Sequence, residues 1–314
     1  MVDQVLGELN KFTGHVDKAR IRALLQRHLG GDALDSQQAM ALLSSMKTLE
    51  RTKELALVLR CLHDFGLETN MYMASVAITA CKKCCDWAQA VQLLTDMVAQ
   101  HVQMDTTAYS GTLCACAKRG EWTQVLSLLS EMAAREVETD TIAYSAAVSS
   151  CAKGAEWTKA LGLLCDMAAN EVEMDIIIYS AAVSACETSA EWAQALELLG
   201  DMATSHVEKD TIAYNAAVSA CAKVGAWVRA LILFRDMDAS HVEMSTITYN
   251  AAVSACEKGG QWNQGLWLLV EMSSAHVELD TVTYSAAVSA CERGGLWDQA
   301  KRLLVQMASA HVEL

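Results

Sequence analysis

Tryptophan returns every 35 residues along most of this chain, at Trp87, Trp122, Trp157, Trp192, Trp227, Trp262 and Trp297. Methionine keeps the same period at Met97, Met132, Met167, Met202, Met237, Met272 and Met307. So does cysteine, at Cys81, Cys116, Cys151, Cys186, Cys221, Cys256 and Cys291, and tyrosine keeps the phase from Tyr109 to Tyr284. A fixed period of this length marks a tandem array. Each unit is then one small element that cannot bury its apolar face alone, and stacking neighbours supplies the core. Seven units run in register: 71–105, 106–140, 141–175, 176–210, 211–245, 246–280 and 281–314, the last one residue short. Segment 36–70 carries a weaker version of the pattern and 1–35 a poorer one still. The expected organisation is degenerate N-terminal helical repeats, or a cap, over 1–70, and seven tandem repeats, the last incomplete, over 71–314.

Each unit reads as two helices. In 141–175 the first spans Ile142 to about Lys153, and Gly154, Ala155 and Glu156 make the turn. The second runs from Trp157 to about Asn170, with Trp157, Ala160, Leu161, Leu163, Leu164 and Met167 at helical spacing. The Asp that ends the unit is placed to cap the next helix, accepting N–H bonds from its first turn. The fold class expected is all-α, a right-handed α-solenoid superhelix of helix–turn–helix repeats.

The 314 residues contain no proline, which removes the strongest helix breaker and any Pro-rich linker. The net charge is −14, an argument against gripping nucleic acid by bulk charge. Segment 1–70 has nine bases and nine acids, so the whole acid excess lies in the repeats. The 12 cysteines sit in a chain too long to need a disulfide scaffold, which reads as a reducing compartment. No secretory signal, transit peptide or membrane span is visible. The Trp, Met and Cys rows read as interhelical core, and not as a metal ladder, since ligands to one zinc must lie within about 2.3 Å of it. Cys81, Cys84 and Cys85 include a CxxC but lack a second pair, so neither metal nor cofactor is expected. His-Val-Glu recurs at 206–208, 241–243, 276–278 and 311–313; its repetition assigns it to a helix end rather than a catalytic site. With no phosphate loop and no nucleophile elbow, the chain does not read as an enzyme.

The strings Tyr-Ser-Ala-Ala-Val-Ser-Ala-Cys at 284–291 and Tyr-Asn-Ala-Ala-Val-Ser-Ala-Cys at 249–256 resemble the pentatricopeptide repeat family. So do Lys-Gly-Gly at 258–260 and Leu-Leu-Val-Glu-Met at 268–272. The likeness is strong over 71–314 and weak over 36–70. One departure is that the family's Pro-Asp repeat ending is here Met-Asp, Thr-Asp, Lys-Asp or Leu-Asp. The resemblance implies single-stranded RNA read one base per repeat, by the residue after the tyrosine and the last residue of the unit. The pairs are Ser75 with Asp105, Ser110 with Asp140, Ser145 with Asp175, Ser180 with Asp210, Asn215 with Ser245, and Asn250 with Asp280; Ser285 has no partner. In the family a small hydroxyl with Asp tends to select guanine, Asn with Asp uracil, and Asn with Ser a pyrimidine, preferably cytosine. The implied target is 5′-GGGG(C/U)U-3′ followed by a purine.

Two further rows fit that implication. Tyr72, Thr107, Ile142, Ile177, Ile212, Ile247 and Val282 stand two residues before the tyrosine phase, where a stiff side chain can sandwich a splayed base. Lys83, Lys118, Lys153, Lys223, Lys258 and Arg293 form a cationic ladder broken only at Thr188, suited to tracking phosphates. The same ladder also suits plain complementation of helix C-termini. The first eleven residues of every unit are uncharged, and tail acids such as Glu138, Glu173, Glu208, Glu243, Glu278 and Glu313 lie elsewhere. By resemblance the setting is organellar, in a mitochondrion or chloroplast, within RNA metabolism or a ribonucleoprotein such as a ribosome, with protein partners there. The rival is a protein-binding scaffold solenoid that has lost RNA; its warrants are the acid excess, the missing prolines and the near-identity of the repeats. An array that stops inside a repeat leads us to expect more chain, or a partner, at its end, a catalytic domain being a third reading.

Overall fold

A computed structural model describes residues 71–309 apart from 85, 101 and 103, together with helix Lys18–Leu29 and a few single positions between them. Every described element is helical. They are α1 (Lys18–Leu29), α2 (Met71–Cys84), α3 (Trp87–Ala99), α4 (Thr106–Arg119), α5 (Trp122–Ala134), α6 (Thr141–Lys153), α7 (Trp157–Ala169) and α8 (Ile176–Thr188). Then come α9 (Trp192–Thr204), α10 (Thr211–Val224), α11 (Trp227–Ala239), α12 (Thr246–Lys258), α13 (Trp262–Ser274), α14 (Thr281–Arg293) and α15 (Trp297–Ser309). The chain is an all-α helical-repeat solenoid of two compact units, 1–150 and 151–314, with the boundary inside α6.

Each repeat contributes a first and a second helix. In the first unit α2 packs on α3 and on α4, and α4 on α5. In the second, first helices stack on first helices, α8 on α10, α10 on α12 and α12 on α14. The second helices α9, α11 and α13 each wedge between their own first helix and the next, as α11 does between α10 and α12. The Tyr, Met and Cys rows fill these contacts, whereas the Trp row, expected in the core, stands at the start of each second helix and is only half-buried, with Trp297 59% exposed. Tyr109, Tyr214, Met132, Met167, Met202, Met237, Met272, Cys116, Cys151, Cys186, Cys221, Cys256 and Cys291 are all fully enclosed. Most of segment 1–70 lies outside the described residues. Its described apolar positions, among them Ile21, Leu25, Leu43, Met46 and Leu62, share one core with Met73, Val76 and Ala77 of the first repeat.

Both helices of a repeat end the same way. The N–H three residues past the end returns to a carbonyl in the last turn: Glu156 to Cys151, Gln261 to Cys256 and Leu296 to Cys291, at 2.9, 2.8 and 2.8 Å. After the second helix Val172, Val207 and Val277 return to Met167, Met202 and Met272, at 2.9, 2.8 and 3.0 Å. The residue between adopts a left-handed conformation, which makes each end a Schellman motif. It is glycine at Gly120, Gly225, Gly260 and Gly295, but alanine at Ala155 (φ 57°) and Ala190 (φ 61°). After the second helix it is Glu136, Glu171, His206, His241 or His276. The recurring His-Val-Glu thus supplies a backbone stop and the apolar Val of the motif. With a stop at each helix end, no proline is required to break the helices.

Candidate functional site

The starts of four first helices, at Asp140, Asp210, Ser245 and Asp280, bring the proposed reading residues together. The residue ending a repeat is the N-cap of the next first helix. Asp105, Asp140, Asp175, Asp210 and Asp280 accept from the N–H of Ala108, Ala143, Ile178, Ala213 and Thr283 through Oδ1, at 2.8–3.0 Å. Such a cap is worth about 1 kcal/mol. The same carboxylate meets the residue after the tyrosine of its own repeat. Ser110 donates to Asp140 Oδ1 at 2.9 Å and Ser180 to Asp210 Oδ1 at 3.0 Å. Asn250 Nδ2 donates to both oxygens of Asp280, at 3.1 and 3.0 Å, and Asn215 Nδ2 reaches Ser245 Oγ at 3.4 Å.

The serine that gives its one proton to Asp leaves only acceptors in the pair: its own lone pairs and Asp Oδ2, to which no described group bonds. The asparagine pairs keep both kinds of group, an amide N–H and a carbonyl. Burial raises the pKa of Asp280, but the Thr283 N–H and the Asn250 amide outweigh it and hold the carboxyl below its usual range. Ser75 and Ser145 are half-buried and Ser285 is exposed. Ser145 belongs to the first unit and Asp175 to the second.

Beside these pairs stands the apolar row. Ile142, Ile177, Ile212, Ile247, Val282 and Tyr72 are 54–62% exposed, and Thr107 is exposed as well. Large apolar side chains left this open on a helix whose other apolar residues are buried mark a contact surface rather than core. Eleven residues further on, three turns and roughly 16 Å along the same face, stands the cationic ladder. Its members span successive repeats. Lys118 Nζ donates to the Lys82 carbonyl at 3.0 Å, Lys223 to that of Glu187 at 2.7 Å and Lys258 to that of Lys223 at 3.3 Å. Arg293 donates to the Glu257 carbonyl and pairs with its carboxylate, both at 3.3 Å.

The ladder therefore complements helix C-termini, as one reading expects, though the terminus belongs to the preceding repeat. Thr188, the apparent break, puts its hydroxyl 2.8 Å from the Ala185 carbonyl of its own helix and 3.3 Å from the Ala152 carbonyl of the preceding repeat, the same place without charge. Carboxylates that the sequence reading passed over stand here too: Glu257 with Arg293, and Glu187, whose pKa is raised by burial and lowered in part by Lys223. The tail glutamates from Glu138 to Glu278 are exposed.

Two residues the sequence reading missed complete the asparagine sites. Thr248 Oγ1 donates to Asn215 Oδ1 at 2.6 Å and accepts from the Ser245 N–H at 3.1 Å. Thr283 Oγ1 donates to Asn250 Oδ1 and lies 2.7 Å from Asp280 Oδ1. Both threonines are fully buried. Burial pushes the thiol of Cys116 up to about 12 and those of Cys151, Cys186, Cys221 and Cys256 up to about 11, which keeps these five protonated at neutral pH. The side chains of Cys84 and Cys85 lie outside the described residues. Among the described residues no helix is long and apolar enough to cross a membrane.

Paired first and second helices, with a bonded pair of side chains at four of the junctions between repeats, define an α-helical repeat array. The family model described as the pentacotripeptide-repeat region of PRORP matches residues 132–313, and the PPR repeat model matches 107–137. The chain belongs to the pentatricopeptide repeat family. No curated protein matches it in sequence. Among solved structures it is similar to the pentatricopeptide repeat protein PPR10 from maize, at 22% identity and TM-score 0.62, over 95% of this chain and 45% of that one. It is also similar to the PPR domain of protein-only RNase P 1 from Arabidopsis thaliana, at 13% identity and TM-score 0.52, over 57% of this chain and 95% of that one. These likenesses are of fold. The chain spans less than half of the maize structure.

Proposed function

We propose that this chain binds single-stranded RNA, one base to each repeat, without catalysis. The observation that carries the reading is the bonded pair at four helix starts, joining residues 30 apart beside exposed apolar side chains. The pairs differ in chemistry as a reader must. Ser–Asp offers only acceptors, and guanine carries two N–H groups on its Watson–Crick edge. Asn–Asp and Asn–Ser offer one donor and one acceptor, which suits a pyrimidine. The target on this reading is 5′-GGGG(C/U)U-3′ followed by a purine. The Arabidopsis domain was solved in complex with tRNA, which supports RNA as the ligand class. Segment 1–70 serves as the cap of the array, and the setting is organellar RNA metabolism, with occupancy of a transcript as the mode of action.

The test is fluorescence anisotropy with GGGGCUG, a scramble and an all-C oligomer, in lithium buffer at two salt concentrations. Selective binding is expected, weakening with salt as the ladder releases counterions. Changing Asn215→Ser with Ser245→Asp should lose GGGGCUG and gain GGGGGUG. No binding of any RNA at low salt refutes the proposal. That result favours a protein-binding scaffold, for which the carboxylates of Glu187 and Glu257 beside the ladder are the structural argument.

A further inference from the structure

The two asparagine sites share a feature that the serine sites lack. In the repeat following Asn215 the third residue is Thr248, and in the repeat following Asn250 it is Thr283. After Ser75, Ser110, Ser145 and Ser180 the same position holds Ala108, Ala143, Ile178 and Ala213. Thr therefore accompanies Asn, 33 residues away, and never accompanies Ser in a pair. The contact explains the association. A carboxylate only accepts, so Asp280 turns the Asn250 NH2 group toward itself and the amide carbonyl away. That carbonyl, also only an acceptor, needs a donor at a buried place, and the Thr283 hydroxyl provides it. With alanine there the carbonyl would face a methyl group. At Asn215 the hydroxyl of Thr248 takes the Ser245 N–H and passes its own proton to Asn215 Oδ1, closing a ring of three residues.

We propose that Thr283 and Thr248 are the third members of the reading sites at Asn250 and Asn215. They are positioning residues that fix the plane of the asparagine amide, so that one N–H and one carbonyl lone pair are held out to the base. This deepens the RNA reading above and rests on it. The hydroxyl need not touch RNA. Its effect is on discrimination, because an amide held by its NH2 edge alone tilts about that contact, and its carbonyl, left without a donor, no longer keeps one orientation toward the base. A serine reader has no such ambiguity, and a small apolar residue suffices behind it.

Valine is the test residue, since buried Ile178 shows that a β-branched apolar side chain fits this position. In Thr283→Val the preference for U over C at the Asn250 base should fall by roughly five- to tenfold, the worth of about one hydrogen bond. Binding of oligomers varied at the four G positions should stay unchanged. Thr283→Ser should restore the preference. In the opposite direction, Ser180→Asn alone should give a weak U preference at that repeat, and Ser180→Asn with Ala213→Thr a strong one. A readout without RNA separates the two proposals: the Asn250 side-chain NH2 resonances of the free protein should be dispersed and slow to exchange, collapse in Thr283→Val and return in Thr283→Ser. Unchanged amide resonances in Thr283→Val overturn the inference. So does unchanged base discrimination alongside altered resonances. If the parent chain binds no RNA, the functional reading falls and the specificity role with it, while the amide resonances still report whether the hydroxyl holds the side chain.

Discussion

The left-handed residue after each first helix offers a graded test of how the array is held together. Six repeats share this backbone position, occupied by Gly120, Ala155, Ala190, Gly225, Gly260 and Gly295. An L-residue there costs about 1–2 kcal/mol, from the approach of its Cβ to the following carbonyl. Glycine escapes that cost but loses roughly 0.5–1 kcal/mol more backbone freedom on folding. Ala155→Gly and Ala190→Gly should therefore each stabilise the chain by about 0.5–1 kcal/mol, nearly additively, one repeat apart. Gly260→Ala and Gly295→Ala should destabilise by a similar amount. A Cβ at those two glycines meets nothing within 4 Å, so the dihedral acts alone. Gly225→Ala should cost more than either, because its Cβ would stand 3.1 Å from Lys258 Cβ and 3.4 Å from the Lys258 backbone. Thermal and urea unfolding followed by far-UV circular dichroism would read the series. The double alanine-to-glycine variant should melt roughly 3–5 °C higher. The argument is refuted if Gly260→Ala is as stable as the parent chain, or if Gly225→Ala costs no more than Gly260→Ala.

The packing of tryptophan on the next repeat gives a second expectation. A Cβ on Gly259 would lie 2.3 Å from Trp227 Cδ1 and one on Gly294 2.6 Å from Trp262 Cδ1, so Gly259→Ala should cost about 1–3 kcal/mol in urea unfolding despite its ordinary φ of −80°. Exposed Cys165 should be alkylated quickly in the native chain, while Cys116, Cys151, Cys186, Cys221 and Cys256 react only on unfolding; peptide mapping after a timed iodoacetamide pulse decides this. Asp280 titrates below the ordinary carboxylate value, so its contribution is fully present above about pH 4 and is lost as pH falls through its lower folded value. Asp280→Asn should lower stability at neutral pH and shrink the loss on acidification, read as the difference between melts at pH 7 and pH 3.

How much the sequence made legible depends on the distance over which each interaction acts. The helices were readable because period and turn residues are local: Trp157 opens a helix, and Gly154 to Glu156 separate it from the one before. The aspartate caps were readable for the same reason, since Asp175 bonds an N–H three residues ahead. The rows of Cys and Met were legible as core, but not as the residues whose carbonyls close the helix ends, because that role belongs to their backbone and not to their side chains. His206, His241 and His276 sit at helix ends as expected, yet backbone conformation, rather than the charge of the ring, defines the place they occupy. Most opaque were the bonds from one repeat to the next. Lys223 reaches a carbonyl 36 residues back and Thr283 an amide 33 residues back. Comparing each unit with its own consensus hides such bonds, for Thr248 and Thr283 then look like drift from alanine. The signal emerges only when one column is read against the next repeat's column, Asn against the Thr that comes after it. In a solenoid the neighbour supplies half of such a contact, so the repeat junction, and not the repeat, is the unit in which these bonds are encoded.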